Sequence, residues 1–344
     1  MRYYATLFDK NYLSRGKVML QSLQDQTHNQ SVLFVLALDQ TAAELAAKWP
    51  NTRIVQIHDL EAFFPNLLEA KANRSFVSYI FTLSPFLPLY ILQKHPEISR
   101  ITTLDADLLF LNSPEKVLES LGDEKIGITQ HGFPEEQKHK EIYGKYNVSF
   151  QSFPNTQNGL ACLQSWAEDC LDFCGDYIDE KGRFADQKYL DFWSEKFHHV
   201  VDFPPTIGLA PWNLKEQQLQ QTNKKWQTKA GAPVFYHFHH FRIKNNHKIA
   251  TGLYLFGYSN HNDATRKLYK LYWKQLTQTN ASNDAGISRI ASASHISWRS
   301  LFVEFTQETA YLKIGKIMVS INLMNMINPF LNLYRKLNGK HHLA

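Results

Sequence analysis

The chain has 344 residues, enough for one large domain or two modest ones. Its 44% hydrophobic and 13% aromatic content supplies a core and excludes a disordered or collagen-like chain. The formal charge is +5, from 37 Lys+Arg against 32 Asp+Glu, but residues 309–344 hold no acid and carry Lys313, Lys316, Arg335, Lys336 and Lys340. The first 308 residues therefore sum to zero. That argues against a nucleic-acid partner, because such proteins put their positive charge on the working domain.

Three cysteines, Cys162, Cys170 and Cys174, cannot close a disulfide framework or a four-thiolate zinc site. They read as small buried hydrophobes in a reducing compartment. Residues 1–11 are strand-like and lack the charged-then-apolar layout of a leader. No run of twenty purely apolar residues occurs. A cytoplasmic location is the expectation.

In chain order, residues 3–8 form a short apolar run ending at Asp9, and residues 12–23 place Val18, Leu20 and Leu23 at helical spacing. Residues 32–38 are almost continuously apolar, the mark of a strand covered on both faces. Thr41 reads as a helix N-cap, with Glu44 completing a capping box. Strand follows at 53–57, then a helical region at 73–94 interrupted by Pro85 and Pro88, then strands at 98–104, 108–111 and 126–129. This alternation predicts an α/β fold with a mainly parallel central sheet. Further on come a strand at 148–153, a helix at 158–174, a short helix at 184–192, a strand at 234–237 and a helix at 267–276. Domain boundaries are expected at 1–278 for a single catalytic domain, 279–308 for a Ser/Ala/Asn/Gly-rich linker, and 309–344 for a basic tail. Gly16 stands alone after the first strand, so a dinucleotide-binding glycine loop is missing.

The strongest chemical signal is Thr103-Leu104-Asp105-Ala106-Asp107-Leu108-Leu109. In extended backbone both carboxylates point to one side, where their repulsion and burial are costly. A hard divalent cation such as Mn²⁺ or Mg²⁺ removes that conflict and leaves positions open for phosphate oxygens. The ends of parallel strands are also where ligands bind in open α/β sheets. A second cluster, Phe235-Tyr236-His237-Phe238-His239-His240-Phe241, offers three histidines, at least one of them a ligand. Residue pattern alone leaves open whether it is His237 or His239. Arg242, Lys244 and Lys248 follow as candidate diphosphate cations.

These pieces, in this order, resemble the nucleotide-diphospho-sugar transferases of the GT-A (Rossmann-like) fold, especially the retaining family 8-like group and its bacterial relatives. The resemblance is carried over residues 1–260 by Asp9-Lys10-Asn11-Tyr12, Gln21-Ser22-Leu23, Leu104-Asp105-Ala106-Asp107, Asn147-Val148-Ser149-Phe150, Asp186-Gln187 and His237-Phe238. It implies a metal held by Asp107 and His237, with Asp105 on the metal or the donor ribose. It also implies that Asp9 and Tyr12 hold the base, and that Asp186 and Gln187 bind the donor sugar at the catalytic centre. The chain departs from the pattern at Phe81-Thr82-Leu83-Ser84-Pro85, which lacks the family's arginine, and at His239-His240-Phe241-Arg242-Ile243-Lys244, which lacks its Gly and Lys-Pro-Trp. Lys244 is the substitute candidate for the diphosphate contact. The implied activity is metal-dependent transfer, with retention, from a UDP-sugar to a glycan or lipid-linked acceptor in bacterial cell-surface glycan synthesis. A metal-dependent phosphoesterase and a non-catalytic nucleotide-sugar or glycan binding module are the competing readings.

Residues 312–337 place Ile314, Ile317, Met318, Ile321, Met324 and Ile327 at spacings of three and four. With basic residues at both ends, this predicts an amphipathic helical tail lying on an anionic membrane surface, peripheral at the inner face of the cytoplasmic membrane. Asn322, Asn325, Asn328 and Pro329 make it a poor spanning helix.

Overall fold

The computed structural model describes residues 1–244, 248–258 and 262–279, with the side chains of Lys244 and Lys248 excepted, and the backbone of 310–314 and 317–321. The chain divides into two units, Met1–Ser288 and Arg289–Ala344.

In the first unit the apolar runs of the N-terminal half become buried parallel strands. Strand β1 (Arg2–Phe8) is followed by a 3₁₀ turn and α1 (Leu13–Thr27), β2 (Ser31–Ala37), α2 (Gln40–Ala46) and β3 (Thr52–Gln56). Helices α3 (Ile57–Phe63), α4 (Asn66–Asn73) and α5 (Phe76–Lys94) lead to β4 (Arg100–Leu104) and β5 (Leu108–Phe110). Then come α6 (Glu115–Glu119), β6 (Ile126–Gln130), β7 (Tyr146–Pro154), α7 (Gln157–Asp172), α8 (Trp193–Lys196) and β8 (Val200–Asp202). Seven strands form one sheet in the order β3-β2-β1-β4-β7-β6-β8. The pairs β1–β2, β1–β4, β2–β3 and β6–β8 are parallel, whereas β7 runs antiparallel to both neighbours. The mainly parallel α/β expectation holds.

Both faces of this sheet are covered. Leu83, Phe86, Ile91, Ile101, Phe153, Trp166 and Trp193 build the core under α5 and α7. Tyr4, Met19, Leu20, Leu33, Val35, Leu104 and Phe150 build the one under α1 and α2. Helix α1 packs so closely on β1 that a Cβ on Gly16 would lie 2.7 Å from the Phe8 ring. A glycine is needed there to bring the first turn of α1 over the end of the sheet.

Three local expectations are corrected. The N-cap of α2 is Asp39, not Thr41: its Oδ1 accepts from the Ala42 amide at 2.9 Å, and Glu44 accepts instead from Gln40 Nε2. An aspartate two residues nearer the strand end captures the orphan amide first. Helix α5 runs unbroken through Pro85 and Pro88, both buried. Lost backbone bonds there are offset by burial against the sheet and α7. By length and composition α5 is the one helix among the described residues apolar enough to cross a membrane, and 61% of that window is buried inside the fold. The helix at 267–276 extends over the longer range of α10 given below.

Short elements complete the unit: α9 (Leu214–Gln217), β9 (Gln220–Thr222), β10 (Lys225–Gln227), β11 (Phe235–His237), β12 (Arg242–Lys244), β13 (Lys248–Ala250) and α10 (Asp263–Thr279). Phe238 stacks on Tyr272 of α10 at 3.7 Å, anchoring the chain just after β11. All three cysteines are free and buried. Residues 280–294, the core of the expected linker, lie outside the described residues.

In the second unit, β14 (Ala310–Ile314) and β15 (Ile317–Ile321) pair antiparallel, with Lys313 opposite Met318. A helix was expected from 312 onward. The β-branched and aromatic content of these ten positions, divided by Gly315-Lys316, favours a hairpin over the helical spacing. Residues 322–344 lie outside the described residues.

Candidate metal and donor site

The site is assembled where β1 and β4 end. The Asp105 amide donates to the Ser149 carbonyl of β7 at 3.1 Å, and the chain then turns through Asp107 into β5. Strand β11 pairs antiparallel with β5, setting His237 opposite Leu108. Backbone bonds fix both sides: the Phe238 amide donates to the Asp107 carbonyl at 3.0 Å and the His237 amide to Leu209 at 2.8 Å. His237 Nε2 consequently lies 3.1 Å from Asp107 Oδ1 and 3.5 Å from Asp105 Oδ2. These three side chains offer ligand atoms within 4.8 Å of one another.

Two hard carboxylate oxygens and one imidazole nitrogen are a donor set that suits Mn²⁺ or Mg²⁺. Electrostatics agree. Burial drives the Asp107 carboxyl upward, but the His237 charge and hydrogen bond, with His239 and Arg15, outweigh it and hold the group at about 2. Burial raises Asp105 to about 6, opposed by His237 and assisted by Asp107. Its side chain keeps 37% exposure, so water tempers that rise. Burial pulls His237 down, yet Asp107 and Asp105 raise it overall. A cation there would offset the two carboxylate charges that now raise His237.

His239 does not join them. The strand ends at His237, and the chain turns through His240, whose φ is 60°. The His239 ring sits 5.4 Å from Trp212. Burial pushes His239 well below its ordinary value and His240 to about 4. The backbone leaves the extended conformation directly after His237, so His239 does not share its face.

Of the remaining predicted residues, Tyr12 and Asp186 couple electrostatically to the triad carboxylates. Asp9 caps the 3₁₀ turn, with Oδ1 accepting from the Asn11 amide at 3.0 Å and Oδ2 from its Nδ2 at 2.7 Å. Tyr12 is 41% exposed. Its hydroxyl is raised first by burial and then by the charge of Asp107. Asp186 follows Ala185, a non-glycine residue at φ 46°, and is buried with no partner for Oδ2. Burial lifts its carboxyl to about 7, a Ser84 hydrogen bond opposes this, and the Asp105 charge adds to it. Gln187 is half-buried and donates to the Tyr143 carbonyl at 2.9 Å. The Lys244 side chain lies outside the described residues. Asn147 is spent on the sheet, donating to the Gln130 carbonyl and accepting from the Ser149 amide.

Sequence reasoning missed Arg15, Ser84 and Trp212. Arg15 is 6% exposed, donates from Nη2 to the Phe241 carbonyl at 3.2 Å, and lies over the Tyr12 ring at 4.7 Å. Its only sequence signal was a cation three residues after Tyr12, within one helical turn of it. Trp212 packs edge-on to His237 at 5.4 Å, supporting its ring.

This arrangement of strands is the GT-A fold. The chain superposes on a crystal structure of the galactosyltransferase LgtC in complex with donor and acceptor sugar analogues, with a TM-score of 0.51 and 13% identity, covering 82% of this chain and 98% of that one. It is 30% identical over 257 residues to the uncharacterized protein YfnF of Bacillus subtilis (strain 168), spanning 72% of this chain and 84% of that protein. The chain belongs to the family of YfnF. The uncharacterized protein YfnD of the same strain is 28% identical over 249 residues, 70% of this chain and 78% of that protein. No protein-family model matches the chain.

Proposed function

We propose that the chain is a metal-dependent glycosyltransferase that moves a sugar from a UDP-sugar to a glycan or lipid-linked acceptor, with retention, in bacterial cell-surface glycan synthesis. The observation that carries this reading is the Asp105–Asp107–His237 group at the strand ends of a GT-A sheet. A divalent cation bound there supplies Lewis-acid stabilisation of the departing nucleoside diphosphate, worth several kcal/mol of barrier. Asp107 and His237 hold it and Asp105 reaches it or the ribose. Tyr12 offers its exposed ring face to the base, and Asp9 fixes the turn that presents Tyr12. Asp186, buried beside Asp105 with a free carboxyl oxygen, accepts a donor-sugar hydroxyl, and Gln187 lies next to it. Among the described residues one three-ligand group occurs, with tyrosine and a buried carboxyl beside it, which suits a donor pocket better than a phosphoesterase centre.

The basic charge of residues 309–344 supports a location at the inner face of the cytoplasmic membrane, at about 1 kcal/mol per Lys or Arg near an anionic surface. Thermal stability with UDP, GDP and CDP, with and without Mn²⁺, followed by a donor hydrolysis assay, tests the activity. A Mn²⁺-dependent shift together with release of nucleotide is expected. Absence of any such shift contradicts a nucleotide-sugar enzyme, and a shift without turnover even with acceptor contradicts a transferase.

A further inference from the structure

Arg15 is a buried cation with no carboxylate bonded to it among the described residues. It is 6% exposed, and its hydrogen-bond partners are two carbonyls, Phe241 at 3.2 Å and Asn11 at 3.5 Å, with the Tyr12 ring beneath it. A guanidinium in such a place bears a desolvation cost that carbonyl oxygens and a ring face only partly offset. It also has five N–H donors, and these two carbonyls engage two.

Its position is specific. Arg15 joins the two segments that frame the triad: the turn at residues 9–12, and the loop that follows His237. Its charge reaches the Asp107 carboxylate and the Tyr12 hydroxyl. The count of charges then matters. A divalent cation on Asp105 and Asp107 is neutral as a set, so a nucleoside diphosphate arriving there brings at least two unbalanced negative charges. Among the groups whose charge is felt at Asp107, Arg15 alone is permanently positive.

We propose that Arg15 is a cationic contact to the diphosphate of the donor, hydrogen-bonding a phosphate oxygen with the N–H groups not engaged by Phe241 and Asn11. This rests on the nucleotide-sugar reading above and names a residue for it. An approaching anion completes the coordination of a charge that the fold has already desolvated, and charge-assisted bonds to phosphate are the strong ones.

The test compares UDP with uridine, each titrated calorimetrically into the full chain with Mn²⁺. Arg15→Gln is expected to weaken UDP about tenfold or more while leaving uridine unchanged. Equal loss for UDP and uridine would show that Arg15 only holds Tyr12 for the base, and no loss for UDP would overturn the contact outright. Circular dichroism checks folding. If the glutamine variant does not fold, Arg15→Lys decides: it keeps charge but loses the fork, so UDP is expected to weaken at least threefold with uridine unchanged. Unchanged UDP affinity in that variant overturns the proposal. Wild type that binds no UDP, GDP or CDP with Mn²⁺ sinks the nucleotide reading and the contact together, before any variant is compared.

Discussion

His237 Nε2 stands 3.1 Å from Asp107 Oδ1 because β11 pairs with β5, not because the two residues are near in sequence. Each side chain perturbs the other: the imidazole holds the carboxyl low and the carboxylates hold the imidazole high. Together with Asp105, the pair offers ligand atoms within 4.8 Å of one another, a geometry that suits a divalent cation.

Asp107→Asn removes the charge that anchors this pair. The variant is expected to fold, with His237 losing its raised proton affinity, and to lose the Mn²⁺-dependent part of the thermal shift seen with nucleotide. Undiminished metal dependence in the variant would show that the ligand assignment is wrong. Asp105→Asn should weaken Mn²⁺ less, since Asp105 is the more exposed and more distant of the two.

Metal affinity should rise with pH. Cation binding displaces protons from His237, raised by its carboxylate neighbours, and from Asp105, which burial sets at about 6. Calorimetric Mn²⁺ titrations from pH 5.5 to 8 are expected to show tightening with proton release. A flat profile contradicts the proposed ligands.

Asp186 gives a separate dependence in the metal-free protein. Its carboxyl is raised from 3.8 to about 7 by burial, so the folded state binds a proton that the unfolded state has already released. The stability it contributes is complete below about pH 4 and is lost as pH rises through 7, up to about 4 kcal/mol by pH 8. Asp186→Asn removes that loss. Its melting temperature should gain on wild type as pH increases from 4 to 8, and parallel curves would show that Asp186 is not buried as a neutral acid.

The basic second unit is separable in its effect. Deleting residues 309–344 should leave Mn²⁺-dependent nucleotide binding intact and abolish sedimentation with vesicles containing phosphatidylserine. Vesicle binding that survives the deletion places the membrane contact elsewhere.

Much of this site was legible in the sequence, and the failures have common physical causes. Strands β1, β2 and β4 read clearly because a strand buried on both faces is an uninterrupted apolar run. Asp105 and Asp107 were marked by their place at the end of such a run. The choice of His237 over His239 was not legible, since it depends on where β11 stops pairing with β5. Asp39 displaced Thr41 as a cap by one hydrogen bond, and α5 kept its course through two prolines by tertiary burial. Residues 310–321 carry both a helical spacing and β-branched content, and pairing between β14 and β15 selected the second. Arg15 was invisible because its meaning lies in a carbonyl 226 positions away.

The central claim is that Asp105, Asp107 and His237 would hold a divalent cation at which the diphosphate of a nucleotide donor binds. Phosphorus-31 spectra of UDP with the protein and substoichiometric Mn²⁺ test it most directly. Paramagnetic broadening of both phosphate resonances is predicted, beyond that given by Mn²⁺ and UDP alone, and lost in Asp107→Asn. UDP binding with identical broadening in wild type and Asp107→Asn would contradict the account.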